Sequence, residues 1–179
     1  QLALLENAVM RYQVSGTAPG PLGARHPSIT PFEAYKTKDG YIIISAGNDG
    51  LFAKLAEALE NPGWAEDPDY SSNDNRNKHV EKLKIEMESV LTTHTTSHWI
   101  EVLDKFGVPS GPINDIGQAA THPQTIARNM IVSVDDPITG PMKVAGNPIK
   151  ISGFEDPETR EPAPNLDQNR EQILRELTD

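Results

Sequence analysis

The spacing of apolar positions changes several times along the chain, and each change predicts a new element. Residues 1–14, QLALLENAVMRYQV, bring Leu2, Leu5, Val9 and Tyr12 close to one helical face, with Leu4, Ala8 and Met10 widening the stripe. No Ser, Thr, Asp or Asn precedes the first apolar turn. A helix that opens uncapped at Gln1 is expected to be cut from a longer polypeptide, the alternative being a frayed terminus left by processing. Ser15–Pro31 reads SGTAPGPLGARHPSITP, and its glycines and prolines cannot sustain a helix, so it is expected to be an extended linker. A linker this long places the first helix in a different structural body from the elements C-terminal to it.

Two β-type runs come next, Phe32–Lys38 (FEAYKTK) and Gly40–Ala46 (GYIIISA), joined through Lys38-Asp39-Gly40, a hairpin signal. The first alternates, with Phe32, Ala34 and Lys36 on one side and Glu33, Tyr35 and Thr37 on the other. The second is aliphatic on both faces and is expected inside a sheet. Leu51, Leu55 and Leu59, with Phe52 and Ala56, then form a helical face that Asn61-Pro62-Gly63 stops. NPGWAEDPDYSSNDNRN reads as a polar loop pinned by Trp64 and Tyr70. Val80, Leu83, Met87, Val90 and Leu91 mark another helix. Thr95 or Thr96 can cap a further helix that buries Trp99, Ile100, Leu103 and Phe106 and ends at Gly107, although His98 stands where a capping box wants an acid. Beyond it, Pro109 and Pro112 impose extended geometry. Short helices are expected near Ile116–Ala120 and from Pro123, a strand over Ile131–Val134, and a return through Pro137, Gly140, Pro141, Gly146, Pro148 and Gly153. A last helix is expected near Asp167–Leu177. The class these elements predict is α+β, a small antiparallel sheet packed by helices.

Composition narrows the functions open to such a chain. With 179 residues it makes one domain, or one compact domain carrying pieces of a second. Sixteen Lys and Arg against 26 Asp and Glu leave a net charge of −10, which disfavours a nucleic-acid groove or an anionic membrane surface. The absence of cysteine excludes disulfides, thiolate metal sites and a thiol nucleophile. Ile42–Ile44, the longest aliphatic run, is far too short to span a bilayer, and no signal-peptide pattern opens the chain. The expectation is a cytoplasmic or organelle-matrix protein.

Among chemical motifs, His94 and His98 stand four apart, but Thr-Thr-Ser fills the gap without the glutamate of a zinc-protease helix, so no metal site is expected. No Gly-x-Ser-x-Gly elbow, phosphate loop or dinucleotide fingerprint occurs, and Ser110 reads as a turn residue. One stretch keeps chemical promise. Gly47-Asn48-Asp49-Gly50 joins a buried-type strand to a helix start, where converging backbone N–H groups can meet an anionic or polarised oxygen. Asn48 or Asp49 can equally be the helix cap, and the two roles are compatible.

Several ordered stretches resemble one family: Arg25-His26-Pro27-Ser28-Ile29 leading into Pro31-Phe32-Glu33-Ala34-Tyr35 and Asp39-Gly40-Tyr41; Ala46-Gly47-Asn48-Asp49; Gly107-Val108-Pro109-Ser110-Gly111-Pro112-Ile113-Asn114; and Gly146-Asn147-Pro148-Ile149-Lys150-Ile151-Ser152-Gly153. In this order they resemble the C-terminal half of class III CoA-transferases, the formyl-CoA and carnitine CoA-transferase family that also includes α-methylacyl-CoA racemases. The resemblance covers the chain from Gln1 to about Leu177. It implies a large Rossmann-like domain, a small domain and an interlocked homodimer. Residues 1–14 would be a large-domain helix, 15–30 the outgoing linker, 31–114 the small α+β domain, and 115–179 the return segment and terminal helix rejoining the large domain.

The resemblance also implies the chemistry. An aspartate attacks an acyl-CoA thioester, the mixed anhydride is opened by CoA thiolate to an aspartyl thioester, and an acceptor carboxylic acid completes the exchange. No aspartate here matches that nucleophile, so no catalytic residue is carried over. A coenzyme A thioester is the implied substrate, with no covalently bound cofactor, and the chain alone is expected to be inactive. Gly47, Asn48, Asp49 and Gly50 are the residues expected to face the CoA thioester. The glycine-rich loop of formyl-CoA transferases has no counterpart between Ser28 and Phe32, which speaks against oxalate or formyl-CoA specificity. Asp167-Gln168-Asn169 replaces the family's Gly-x-His. Two rivals remain: a racemase fragment, although that subgroup has Glu where Asp49 stands, and a non-catalytic interaction module built on the same small-domain fold. Exposed Leu2, Leu5 and Val9 would count against the module.

Overall fold

The computed structural model describes residues 2–178; the side chains of Leu2, Ala3 and Glu6 lie outside the description, and so do the expectations placed on Gln1 and on Leu2. The chain divides into two compact units, Gln1–Ile113 and Asn114–Asp179.

In the first unit, helix α1 covers Glu6–Ser15 after a 3-10 turn at Leu2–Leu5. It has no side-chain cap at its start, and Gly16 closes it in the left-handed conformation that glycine adopts without strain. Met10, Tyr12 and Val14 on it are exposed. Strands β1 (Phe32–Lys36), β2 (Tyr41–Ser45) and β3 (Ser110–Pro112) form an antiparallel sheet in the order β1-β2-β3. The strand carrying Ile42–Ile44 is central, as its two-sided apolar character predicts. Glu33 pairs with Ile44 and Tyr35 with Ile42, so these four share one face, and all four are buried. Tyr35 thus sets which side of the alternating strand turns inward.

Helices α2 (Asp49–Ala58), α4 (Val80–Leu91) and α5 (Thr96–Lys105) supply Phe52, Leu55, Leu83, Met87, Leu91 and Leu103 to the same core. Each fully buried side chain of this size contributes about 1.5–3 kcal/mol of transfer free energy. The half-formed capping device at Thr95 is supplemented from another element. Thr95 Oγ1 accepts from His98 N at 3.4 Å, while Asp39, in the β1–β2 turn, accepts from Thr96 N at 2.8 Å. The hairpin carboxylate therefore satisfies the first free N–H of the helix, a different donor from Thr95 N, which an acid at position 98 would serve.

The predicted polar loop at 61–77 holds two further elements. Pro62–Ala65 is a 3-10 turn, and α3 (Asn73–Lys78) is a helix that Ser72 caps through Asn75 N. Asn-Asp-Asn-Arg-Asn-Lys offers no apolar period, yet its Arg76 is completely buried.

In the second unit, α6 (Ile116–Thr121) starts with a full capping box between Asp115 and Gln118, and α7 (Pro123–Ala127) opens on a proline. Strands β4 (Ile131–Asp136), β5 (Gly140–Ala145) and β6 (Thr159–Arg160) lie in the order β5-β4-β6, the first pair antiparallel and the second parallel. Part of the expected Pro/Gly-rich return is thus a strand. β5 is an edge, where Pro141 removes no interior ladder bond. Gly146 follows it so closely against Asn129 that a Cβ would sit 2.3 Å from the Asn129 carbonyl oxygen. Helix α8 spans only Arg170–Glu176, because Asp167 is left-handed and Asn169 provides no side-chain cap.

Candidate functional site

The Gly47–Gly50 turn leaves β2 just after the buried Ala46 and enters α2. Asn48 is the cap: its backbone is extended, its Oδ1 accepts from Leu51 N at 2.9 Å, and its carbonyl accepts from Phe52 N at 2.9 Å. Asp49 is the first helical residue, where a carboxylate favours the positive end of the helix dipole. All four residues of the turn are exposed.

Asp49 has a partner that the sequence did not announce. Arg76 Nη2 donates to Asp49 Oδ1 at 2.7 Å, and the two side chains are 0% and 64% exposed respectively. The same guanidinium donates from Nε to Thr30 O at 2.7 Å and from Nη1 to Tyr70 O at 2.8 Å, with its Cζ 4.4 Å from the centre of the Phe52 ring. Three nitrogens thus reach three separate segments, a geometry that Arg supplies and Lys cannot.

Helix α3 holds the segment before β1 by its other polar side chains as well. Asn73 and Asn77 both donate to Ser28 O, at 2.9 and 2.8 Å, and accept from Thr30 N and Thr30 Oγ1. Asn73, Arg76 and Asn77, spaced three and four apart, form one face that reads the backbone of Ser28–Thr30. The end of the predicted linker is therefore tied to the first unit. His26 also stacks on Phe32.

Titration behaviour around this frame follows burial and neighbours. Burial pushes the Tyr70 phenol up to about 12. Tyr35 is likewise raised well above the ordinary tyrosine value, first by burial and then by the Glu33 and Glu88 charges. Glu33 is ion-paired with Lys84, which also donates to Ala34 O. Asp69 is lowered chiefly by its hydrogen bond from Lys82.

His94 and His98 stack face to face with centroids 4.3 Å apart, both edge-on to Trp99. Among the described residues no three His, Cys, Asp or Glu side chains gather as metal ligands. Ser110 lies in β3. In the second unit, the Gly146–Gly153 stretch contributes to an open cavity of about 510 Å³ lined in part by Arg128, Asn147, Lys150, Phe154 and Asp156. Lys150 is already committed there. Asp156 lies 2.5 Å away, and this hydrogen bond holds its carboxyl below the usual range.

Comparison with known proteins converges on one family. CoA-transferase family III matches residues 1–170. The acetyl-CoA:oxalate CoA-transferase of Acetobacter aceti is 38% identical over 176 residues, 98% of this chain and 44% of that protein. Human succinyl-CoA:glutarate CoA-transferase is 31% identical over 177 residues, 99% of this chain and 40% of that protein. The crystal structure of a CAIB/BAIF family protein from Brucella suis superposes with a TM-score of 0.75 at 32% identity, covering 98% of this chain and 45% of that one. The chain spans less than half the length of these relatives. With a match over nearly its whole length, this chain belongs to CoA-transferase family III.

Proposed function

We propose that the chain supplies the small-domain portion of an enzyme that moves CoA from an acyl-CoA thioester to a dicarboxylic acid. The observation that carries this reading is the family match over residues 1–170. The acceptor class is suggested by relatives named for oxalate and glutarate. Oxalate therefore stays among the acceptors to test, despite the missing glycine-rich insertion. The nucleophilic aspartate lies outside these 179 residues. It attacks the thioester carbonyl and expels CoA thiolate, and the thiolate then attacks the aspartyl carbonyl and releases the first acid; the acceptor carboxylate attacks the aspartyl thioester and expels the thiolate again, which opens the second anhydride at the acceptor's carbonyl to give the new acyl-CoA and the free aspartate.

Gly47, Asn48, Asp49 and Gly50 face the acyl-CoA. Their exposed position at the start of a ten-residue helix supports this role. The unit boundary between Ile113 and Asn114 and the core cluster running from Tyr35 to Val108 support residues 31–114 as the small domain; on the family resemblance, 115–179 return to a large domain and two full-length chains interlock as a homodimer. Among the described residues no helix is long and apolar enough to cross a membrane.

The test follows isotope-labelled CoA exchange between acetyl- or succinyl-CoA and oxalate or glutarate. The 179-residue chain alone is expected to give none, and a polypeptide that adds the preceding aspartate-bearing region is expected to turn over. Exchange by the chain alone would overturn the placement of the nucleophile; a longer polypeptide inert with every acceptor would overturn the activity.

A further inference from the structure

Arg76 is costly to bury and is not needed to fill its site. Taking a guanidinium out of water is repaid only when its donors are well matched, and an apolar side chain of similar volume often stabilises as much. What the guanidinium does that an apolar side chain cannot is join three segments. Two of its acceptors, Thr30 O and Tyr70 O, are backbone groups, and the third, Asp49 Oδ1, lies in the Gly47–Gly50 turn. The cation is fully buried while its carboxylate partner, the only one among the described residues, reaches the surface. One carboxylate oxygen is thus drawn inward and the charge of the pair offset at the mouth of the turn.

The rest of the surroundings make that anchor stiff. The Phe52 ring, one helical turn after Asn48, lies against the guanidinium. Asn73 and Asn77, on either side of Arg76 along α3, clamp Ser28 and Thr30. The turn itself has a glycine at each end, and glycine loses more backbone freedom on ordering than any other residue. A fixed orientation of Asn48 and Asp49 therefore has to be imposed from outside the turn.

We propose that Arg76 is a positioning residue. Through Asp49 it locks the Gly47–Gly50 turn to the Ser28–Thr30 segment, and so presents acyl-CoA with a preformed, charge-neutral turn in place of a free carboxylate. This rests on the reading that the turn faces acyl-CoA, and the experiment separates the two.

Arg76→Lys keeps the charge but places its three donors on one nitrogen, which cannot span acceptors on three separate segments. In the exchange-competent polypeptide it is expected to raise KM for acyl-CoA about tenfold with kcat little changed, the pattern of lost binding common to ground and transition states. In the 179-residue chain, the amides of Leu51 and Phe52, both bonded to Asn48, are expected to exchange with solvent about tenfold faster, while those of Ile42 and Ile44 keep their rates. Asp49→Asn leaves the bonds to Thr30 and Tyr70 in place and guards against a variant that fails to fold. It is expected to raise KM in the same direction, and the double variant to be no worse than Arg76→Lys alone.

KM unchanged in both variants, or faster exchange throughout β2 together with the turn, would overturn the proposal, the latter because it marks a general core residue. If the wild-type polypeptide exchanges no CoA, the functional reading fails, and the amide rates of the 179-residue chain decide the anchor by themselves: unaltered rates at Leu51 and Phe52 overturn it, and selective acceleration sustains it.

Discussion

The two units spend their apolar residues differently. In Gln1–Ile113, Tyr35, Ile42, Ile44, Phe52, Leu55, Leu83, Met87 and Leu103 join one cluster in which each is almost inaccessible to solvent. In Asn114–Asp179, among the described residues, Val132 and Val134 are the only buried hydrophobic side chains, while Ile138, Ile149, Ile151 and Phe154 are exposed. The backbone of the second unit is not left unsatisfied in the same way, because that unit has its own capping box, hairpin and three-stranded sheet. Regular hydrogen bonding can evidently be completed without a core. The units are then separated by the hydrophobic term, which dominates folding free energy.

The comparison breaks most directly at the boundary. Expressed separately, residues 1–113 are expected to melt cooperatively in circular dichroism, whereas residues 114–179 are expected to show no cooperative transition, since so short a chain with so little buried apolar surface cannot offset its conformational entropy. A sharp melt of the second piece alone would remove the contrast. Single side chains sharpen it next. Leu55→Ala in the first unit empties a site with no solvent exposure and is expected to cost about 3 kcal/mol by urea titration of the whole chain. Ile149→Ala removes an exposed side chain of the second unit and is expected to stay within about 0.5 kcal/mol of wild type.

The same contrast explains how much can be read from the sequence. Ile42–Ile44, Asp39-Gly40 and the Leu/Met/Val spacing of α4 carry their signal in apolar positions, and the hairpin, the central strand and the core helices are legible from it. Helix α3 is not, because Asn73–Lys78 contains only polar residues and a buried Arg76 looks like any solvated charge until the chain is folded. The only local hint is Ser72 ahead of it, a capping residue in a stretch with many turn formers. β5 is hidden by Pro141, a residue that argues against a strand in sequence but is harmless at an edge. At the site, the Gly47–Gly50 turn is visible because it joins two apolar patterns. Its anchor is not, because the donor comes from an element 27 residues further along.

Carboxylates at hairpin turns give the subtlest version of the comparison. Asp39, in the turn of the first hairpin, and Asp136, the last residue of β4 at the entry to the second, are chemically alike, each held below the ordinary aspartate value. For Asp39 the main cause is the backbone N–H of Thr96, and for Asp136 it is those of Thr139 and Ile138. A carboxyl lowered in the folded state binds its proton less readily there than in the unfolded chain. Its stabilising contribution is therefore complete above the unfolded value, about 3.9, and is lost as pH falls through the folded one. The difference lies in reach. Asp39 is tied to a residue 57 positions away, at the start of a core helix, whereas Asp136 bonds residues two and three positions on, within its own hairpin. Asp39→Asn is thus expected to lower the melting temperature of the whole chain at pH 7, with the gap to wild type closing below about pH 4 as the wild-type carboxyl itself protonates. Asp136→Asn is expected to leave the melt almost unmoved at every pH and to speed amide exchange only at Ile138 and Thr139. Equal melting shifts from the two variants would mean that the second hairpin is as much a part of the cooperative unit as the first, and that the sparse core of residues 114–179 understates how firmly they are held.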